Sequence, residues 1–216
     1  MAATDGASSR RLARRSRGLS AASLTAPQKH RLHGMELVFS RAAAFAVALM
    51  LATAVLGLWL GDLHGQTDPA VLRWGTVHRL SGVLSALMVV LVNSMVVTYF
   101  IGTGRWCREV VETYALDAAY IERSRRLKRA AFPFALAGML AMVTIVALGG
   151  AADPASGRPG TQAWVTPHLL GGIGLAAVVA WCFQAQLPRI RSQHGLIEEV
   201  MADVRESRRR RGLDVE

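Results

Sequence analysis

Four apolar blocks dominate the chain, near Leu37–Gly61, Val77–Ile101, Ala131–Gly150 and Trp164–Leu187. Each is about 20 to 25 residues long, enough at about 1.5 Å per residue to cross a hydrocarbon core of about 30 Å as a helix. A soluble domain of 216 residues would spread its apolar side chains at helix or strand period, whereas here 52% of the residues are hydrophobic and most are gathered in these blocks. Strands cannot be the spanning elements. Four isolated segments do not close a barrel, and an open sheet edge is not tolerated in lipid. The fold class expected is therefore all-α integral membrane: an antiparallel four-transmembrane-helix bundle with cytoplasmic helical extensions.

Charge sets the orientation. The formal net charge is +10, and the 25 Lys and Arg are unevenly placed. Seven precede the first block, seven fill the second connection and seven follow the last block, while the first and third connections hold only Arg73 and Arg158, with Arg79 just inside the second block. This positive-inside pattern puts both termini in the cytoplasm and the 62–76 and 151–163 loops outside. The location it implies is a bacterial cytoplasmic membrane. Since the cations track the loops, the expected partner is the lipid bilayer with its anionic headgroups, not nucleic acid.

Three regions follow. Residues 1–34 are rich in Ala, Ser and Arg without apolar period and are expected to be a disordered basic tail, with Met1 and Met35 both open as the true start. Residues 35–190 hold the four spans. Residues 191–216 place Leu196, Val200 and Val204 four apart, the mark of an amphipathic helix, whose simpler use is to pack on the underside of the bundle. In the second connection a kink is expected at Gly102-Thr103-Gly104, with helix beyond it. Cys107 and Cys182 both fall away from the outer side, which argues against a structural disulfide.

The sharpest local signal is a repeat. Residues 74–86 read WGTVHRLSGVLSA and residues 164–176 read WVTPHLLGGIGLA, sharing Trp, Thr, His, Leu, Gly and Ala in register. Spans two and four run the same way, so His78 and His168 should lie at one depth near the outer surface. Each histidine is followed at four-residue spacing by a glycine and an alanine: Gly82 and Ala86, Gly172 and Ala176. Residues four apart share a helix face, so each imidazole has a bare surface running inward from it.

Two neutral imidazoles with open space beneath them suit a planar iron macrocycle, ligated from both faces. Arg79 and Arg73 would pair with its propionates. Thr76 and Thr166 would cap the helix starts, and Trp74 and Trp164 fit an interfacial belt. The competing reading needs no cofactor: small residues every four positions also let membrane helices approach closely. The residues alone leave both readings open.

The fragments VHRLSG (Val77–Gly82) and VTPHLLGG (Val165–Gly172) resemble the histidine-bearing helices of one four-helix half of heme A synthases. The four-span layout is also similar to four-helix b-type membrane cytochromes. The resemblance implies heme-ligand roles for His78 and His168. It does not carry the synthase activity, because Trp74, Gly75 and Thr76 stand where that family has its catalytic glutamate, and the outer-loop cysteine pair is missing. A second heme would need ligands deeper in the same helices, where this chain has Asn93 and Phe183. One heme b is thus the expected cofactor, and His78 and His168 its iron ligands, with Arg79, Arg73, Gly82 and Gly172 around it.

Other polar groups are read more plainly. Asp62, His64 and Asp68 belong to an outer turn, which needs Gly, Asp and Pro in any case, although they are also of the types that bind a metal or face a quinone headgroup. Asn93, Gln184 and Gln186 are expected to bond between helices. No nucleophile–base pair, phosphate loop or paired carboxylate is present, so an enzyme is not the favoured reading. The expectation is a membrane b-type heme protein working in electron transfer with a quinol or a respiratory complex, or in oxidase and heme assembly. Its rival is a cofactor-free subunit or assembly factor whose matched helices only pack.

Overall fold

The computed structural model describes residues 34–213. The chain divides into two compact units, Met1–Leu37 and Val38–Glu216. Of the first unit only residues 34–37 are described, and the basic tail expected to be disordered otherwise lies outside the described residues. Four long helices carry the rest: α1 (Gly34–Leu60), α2 (Pro69–Tyr114), α3 (Ala119–Ala152) and α4 (Val165–Arg210). All four are long and apolar enough to cross a membrane, and no strand occurs among the described residues.

Side-chain contacts fix the directions of the helices. Along α2 and α4 the pairs run in step: His78 with His168, Asn93 with Gln186, Thr103 with Gln193. These two helices are therefore parallel. Between α3 and α2, Gly138 lies against Asn93 while Gly104 lies against Ser124, so α3 runs the other way. Toward α1, Phe39 meets Phe183 edge to face while Thr53 reaches Ser85, and α1 also opposes α2 and α4. This is the up-down alternation that short connections require.

The helix starts differ from the sequence expectation. Thr76 does not cap α2. The helix begins two turns earlier, where Asp68 accepts the Ala70 N–H at 2.8 Å and Pro69 supplies a φ already suited to the first turn. Thr76 lies inside the helix and donates back to the Leu72 carbonyl. Thr166 caps nothing either: α4 follows directly on a 3-10 turn, Thr161–Trp164, and its N-cap, Trp164, makes no side-chain hydrogen bond. The connection before α2 is accordingly shorter than expected, 61–68 in place of 62–76.

The helix is not interrupted at Gly102-Thr103-Gly104, where a kink was expected: α2 continues through all three residues, for 46 residues in all. Gly104 is occupied in packing, its Cβ position lying 3.5 Å from Ser124 Oγ. At its far end Ala115 takes the left-handed conformation, φ 53°, and the Leu116 N–H returns to the Val111 carbonyl, closing the helix. The C-terminal segment is likewise no separate element. It is the continuation of α4, which passes through Pro188 unbroken.

The interior is built of small and branched residues. Ala131, Ala135, Gly138 and Ala141 line one side of α3 and let it approach its neighbours closely, as membrane helices do when water does not drive them together. The outward surface is apolar: Leu87 is 63% exposed, Trp181 60% and Val143 59%. In water such a girdle would be a liability; facing lipid tails it costs nothing. Beyond the spans, Cys107 and Val111 of α2 bury themselves with Val200 and Val204 of α4, and Tyr114, Leu116 and Ile121 pack around them. The amphipathic stripe thus covers the chain's own underside. Tyr120 ties α3 to α4 by donating to Asp203 at 2.8 Å; burial first, and then this bond, pushes its phenol up to about 12.

Candidate functional site

At the loop end of the bundle the four helices enclose a cavity of about 620 Å³. That size lies within the roughly 300–1,000 Å³ of ligand pockets. His78 from the third turn of α2 and His168 from the first turn of α4 both line it, as do Gly82 and Gly172 one turn below them. The two imidazole centres are 6.3 Å apart, and the ring planes cross at 73°. The repeat therefore delivers two rings at one level, facing one space.

The bare surface is real in the packing. A Cβ placed on Gly82 or on Gly172 would meet nothing within 4 Å. Glycine performs a second task that the sequence did not disclose. On α1, the Cβ position of Gly57 is 2.7 Å from His78 Cε1; on α3, that of Gly149 is 3.1 Å from His168 Cε1. Each ring thus leans on a glycine of the helix that precedes it in the chain. Within an apolar run such a glycine looks like any other span residue, so only the tertiary contact reveals it.

Hydrogen bonding sets the tautomer of one ring. His78 Nδ1 faces the Thr53 carbonyl at 3.1 Å. A carbonyl only accepts, so Nδ1 carries a proton, and in the neutral ring Nε2 is left with its lone pair. Metal-bound histidines are commonly oriented in this way by a carbonyl on the far nitrogen. His168 differs: its Nδ1 is buried without a partner among the described residues. The residue four before Gly149 on α3 is Ile145, the counterpart of Thr53, yet its carbonyl does not serve the second ring.

The remaining predicted residues fall out unequally. Arg79 lines the cavity but is already engaged, with Nη1 3.1 Å from Asp153 Oδ1 and Nη2 donating to Thr76 Oγ1 at 3.0 Å. Arg73 is exposed on the second turn of α2 and is not part of the cavity lining. Asn93 and Phe183, the deeper counterparts of the histidines, sit in closed packing. Asn93 donates to Val89 O and accepts from Gln186, while Phe183 meets the Phe39 ring.

The mouth of the cavity carries a clasp between the two loops. His64 Nδ1 is 2.5 Å from Asp62 Oδ1, and its Nε2 is 2.8 Å from Thr161 Oγ1, a residue 97 positions away. Gln162 adds a donor to Asp62 Oδ2 at 3.3 Å. The His64 backbone N–H, and then its ring, hold the Asp62 carboxyl below its ordinary value. Asp68 is spent on capping α2. No group of three or more His, Cys, Asp or Glu able to hold a metal ion occurs among the described residues. Cys107 and Cys182 are both free and buried.

No protein-family model matches the chain, and no curated protein or solved structure is significantly similar to it.

Proposed function

We propose that the chain is an integral membrane b-type heme protein with one heme held between His78 and His168. The observation that carries this reading is the pair of rings that line one cavity, their centres 6.3 Å apart. Two imidazoles bound to one metal through bonds of about 2 Å place their ring centres about 6 Å apart, and here the separation is 6.3 Å. Ligands on opposite faces rotate independently about the metal–nitrogen axis, so a crossing of 73° is no obstacle. The open surfaces at Gly82 and Gly172 leave room for a macrocycle edge, and the Thr53 carbonyl presets His78 for ligation. When bound, the heme would supply reversible one-electron chemistry. Arg79 is the cation at hand for a propionate, in exchange for Asp153.

By the positive-inside pattern both termini are cytoplasmic and the cavity opens outward. The work that fits is electron transfer with a quinol or a respiratory complex, or heme handling during oxidase assembly. A second reading has its own support. The rings already meet edge to face, each backed by a glycine, which is how helices lacking any cofactor would lock together. On that reading the chain is a cofactor-free subunit or assembly factor. A spectrum of protein purified in detergent from heme-replete cells decides. A reduced b-type band lost in both His78→Ala and His168→Ala supports the heme; colourless folded protein removes it.

A further inference from the structure

A second cavity, of about 240 Å³, opens between α2 and α3 just past the end of the apolar spans. Ile101, the last residue of the second apolar block, forms one edge, and the two helices contribute matching faces: Gly104, Arg105 and Arg108 from α2, Ser124, Arg125 and Lys128 from α3. The residues on each helix are spaced so as to share one side. Gly104 and Ser124 meet at the floor, and their small size keeps it open; Gln193 of α4 holds the Ser124 hydroxyl from behind at 3.1 Å.

We infer that this cavity binds a phosphate group, that of an anionic phospholipid. Four cations line a space that is too small for a drug-sized ligand but suits a headgroup. Their charge is only partly answered. Arg105 is held by Glu109 at 2.8 Å, and Arg125 is 3.9 Å from Glu122, which itself is bound more closely by Arg129 at 2.8 Å. Arg108 and Lys128 make no ion pair among the described residues. Depth completes the case. The site lies where the hydrophobic block gives way to charge, the level of lipid headgroups, and Ile101 offers the apolar edge along which an acyl chain would leave. Basic pockets between helices at this level recognise anionic headgroups. The inference is independent of the heme reading and of which side of the membrane this end faces.

The experiment uses the full chain in a maltoside detergent and follows the phosphorus resonance of three added probes: dihexanoyl phosphatidylglycerol, dihexanoyl phosphatidylcholine and inorganic phosphate. The anionic lipid is expected to broaden saturably with wild type. Its apparent affinity should fall on the order of tenfold in Arg108→Gln/Lys128→Gln. The same loss of two charges at Arg209→Gln/Arg211→Gln should leave it unchanged, which separates a site from net charge. Each single substitution is expected to give part of the loss, so the test survives if the double variant fails to fold. Saturable broadening of inorganic phosphate as strong as that of the lipid keeps the phosphate site but makes its source the free anion. Equal broadening of both lipids, or equal affinity in all variants, overturns the proposal.

Discussion

The imidazole of His78 lies against Gly57 so closely that a methyl group there would stand 2.7 Å from Cε1. No real contact is that short, so Gly57→Ala must turn the ring or separate α1 from α2. The expected cost is that of overpacking a filled interior, about 1–3 kcal/mol. At Gly149 the corresponding distance is 3.1 Å, and His168 need yield only slightly. Unfolding of the two variants in detergent should therefore rank Gly57→Ala below Gly149→Ala. The reverse order would show that α1 is not held against the second helix in this way.

Gly82→Leu and Gly172→Leu separate the two functional readings without touching a histidine. Both positions face open space. Each added side chain should enter the cavity and be accommodated there, so folding and stability are expected to hold or improve. Under the heme reading the reduced absorption band disappears nonetheless. A band of undiminished strength in both variants would mean that the macrocycle does not occupy this cavity.

The loop clasp should respond to acid. Asp62 is held below its ordinary carboxyl value of 3.8 by the His64 backbone N–H and ring. A depressed carboxyl stabilises the fold above its ordinary value and loses that contribution as pH falls through its folded one, so the clasp should loosen below pH 3.8 and be intact at pH 6. Hydrogen exchange at residues 62–66 and 161–163 is the measurement. At pH 6, Asp62→Ala should show the loosened pattern that wild type reaches only in acid. Thr161→Val, which removes the far partner, should cost about 1 kcal/mol.

The buried amide pair offers a test of packing between α2 and α4. Gln186 donates to Asn93 Oδ1 at 3.0 Å, with both side chains fully buried. A double-mutant cycle with Asn93→Ala and Gln186→Ala should give a coupling near the membrane average of about 0.6 kcal/mol and no more than about 1.7. A coupling of zero would mean that the two amides find other partners.

Much of the architecture was legible because crossing a membrane is decided block by block. A run such as Val77–Ile101 reads as a span with no knowledge of its neighbours, and it lies wholly within the helix α2. Helix ends were misread where capping depends on which residue starts the helix: Thr76 and Asp68 are both good caps, and the chain uses Asp68. At Gly102–Gly104 the helix runs on through both glycines, and Gly104 faces Ser124 of α3, a packing role that the string of residues does not disclose. At the site, His78 and His168 stood out through repetition, a property of the string itself. Gly57, Gly149 and the Thr53 carbonyl did not, since their roles exist only once another helix is laid across them. The bond from His64 to Thr161 spans 97 positions and was equally invisible.

α2 and α4 are continuous helices, each 46 residues and hence about 69 Å long, more than twice the thickness of the hydrocarbon they would cross. α4 carries Pro188 one residue past its apolar block, where an N–H is missing from the ladder, whereas α2 has no proline beyond its first residue. A twist or tilt imposed on the protruding arm of α2, by a docking protein or by a crowd of charged lipids, would pass along an uninterrupted helix toward His78, turning a remote push into a change in the gap between two rings.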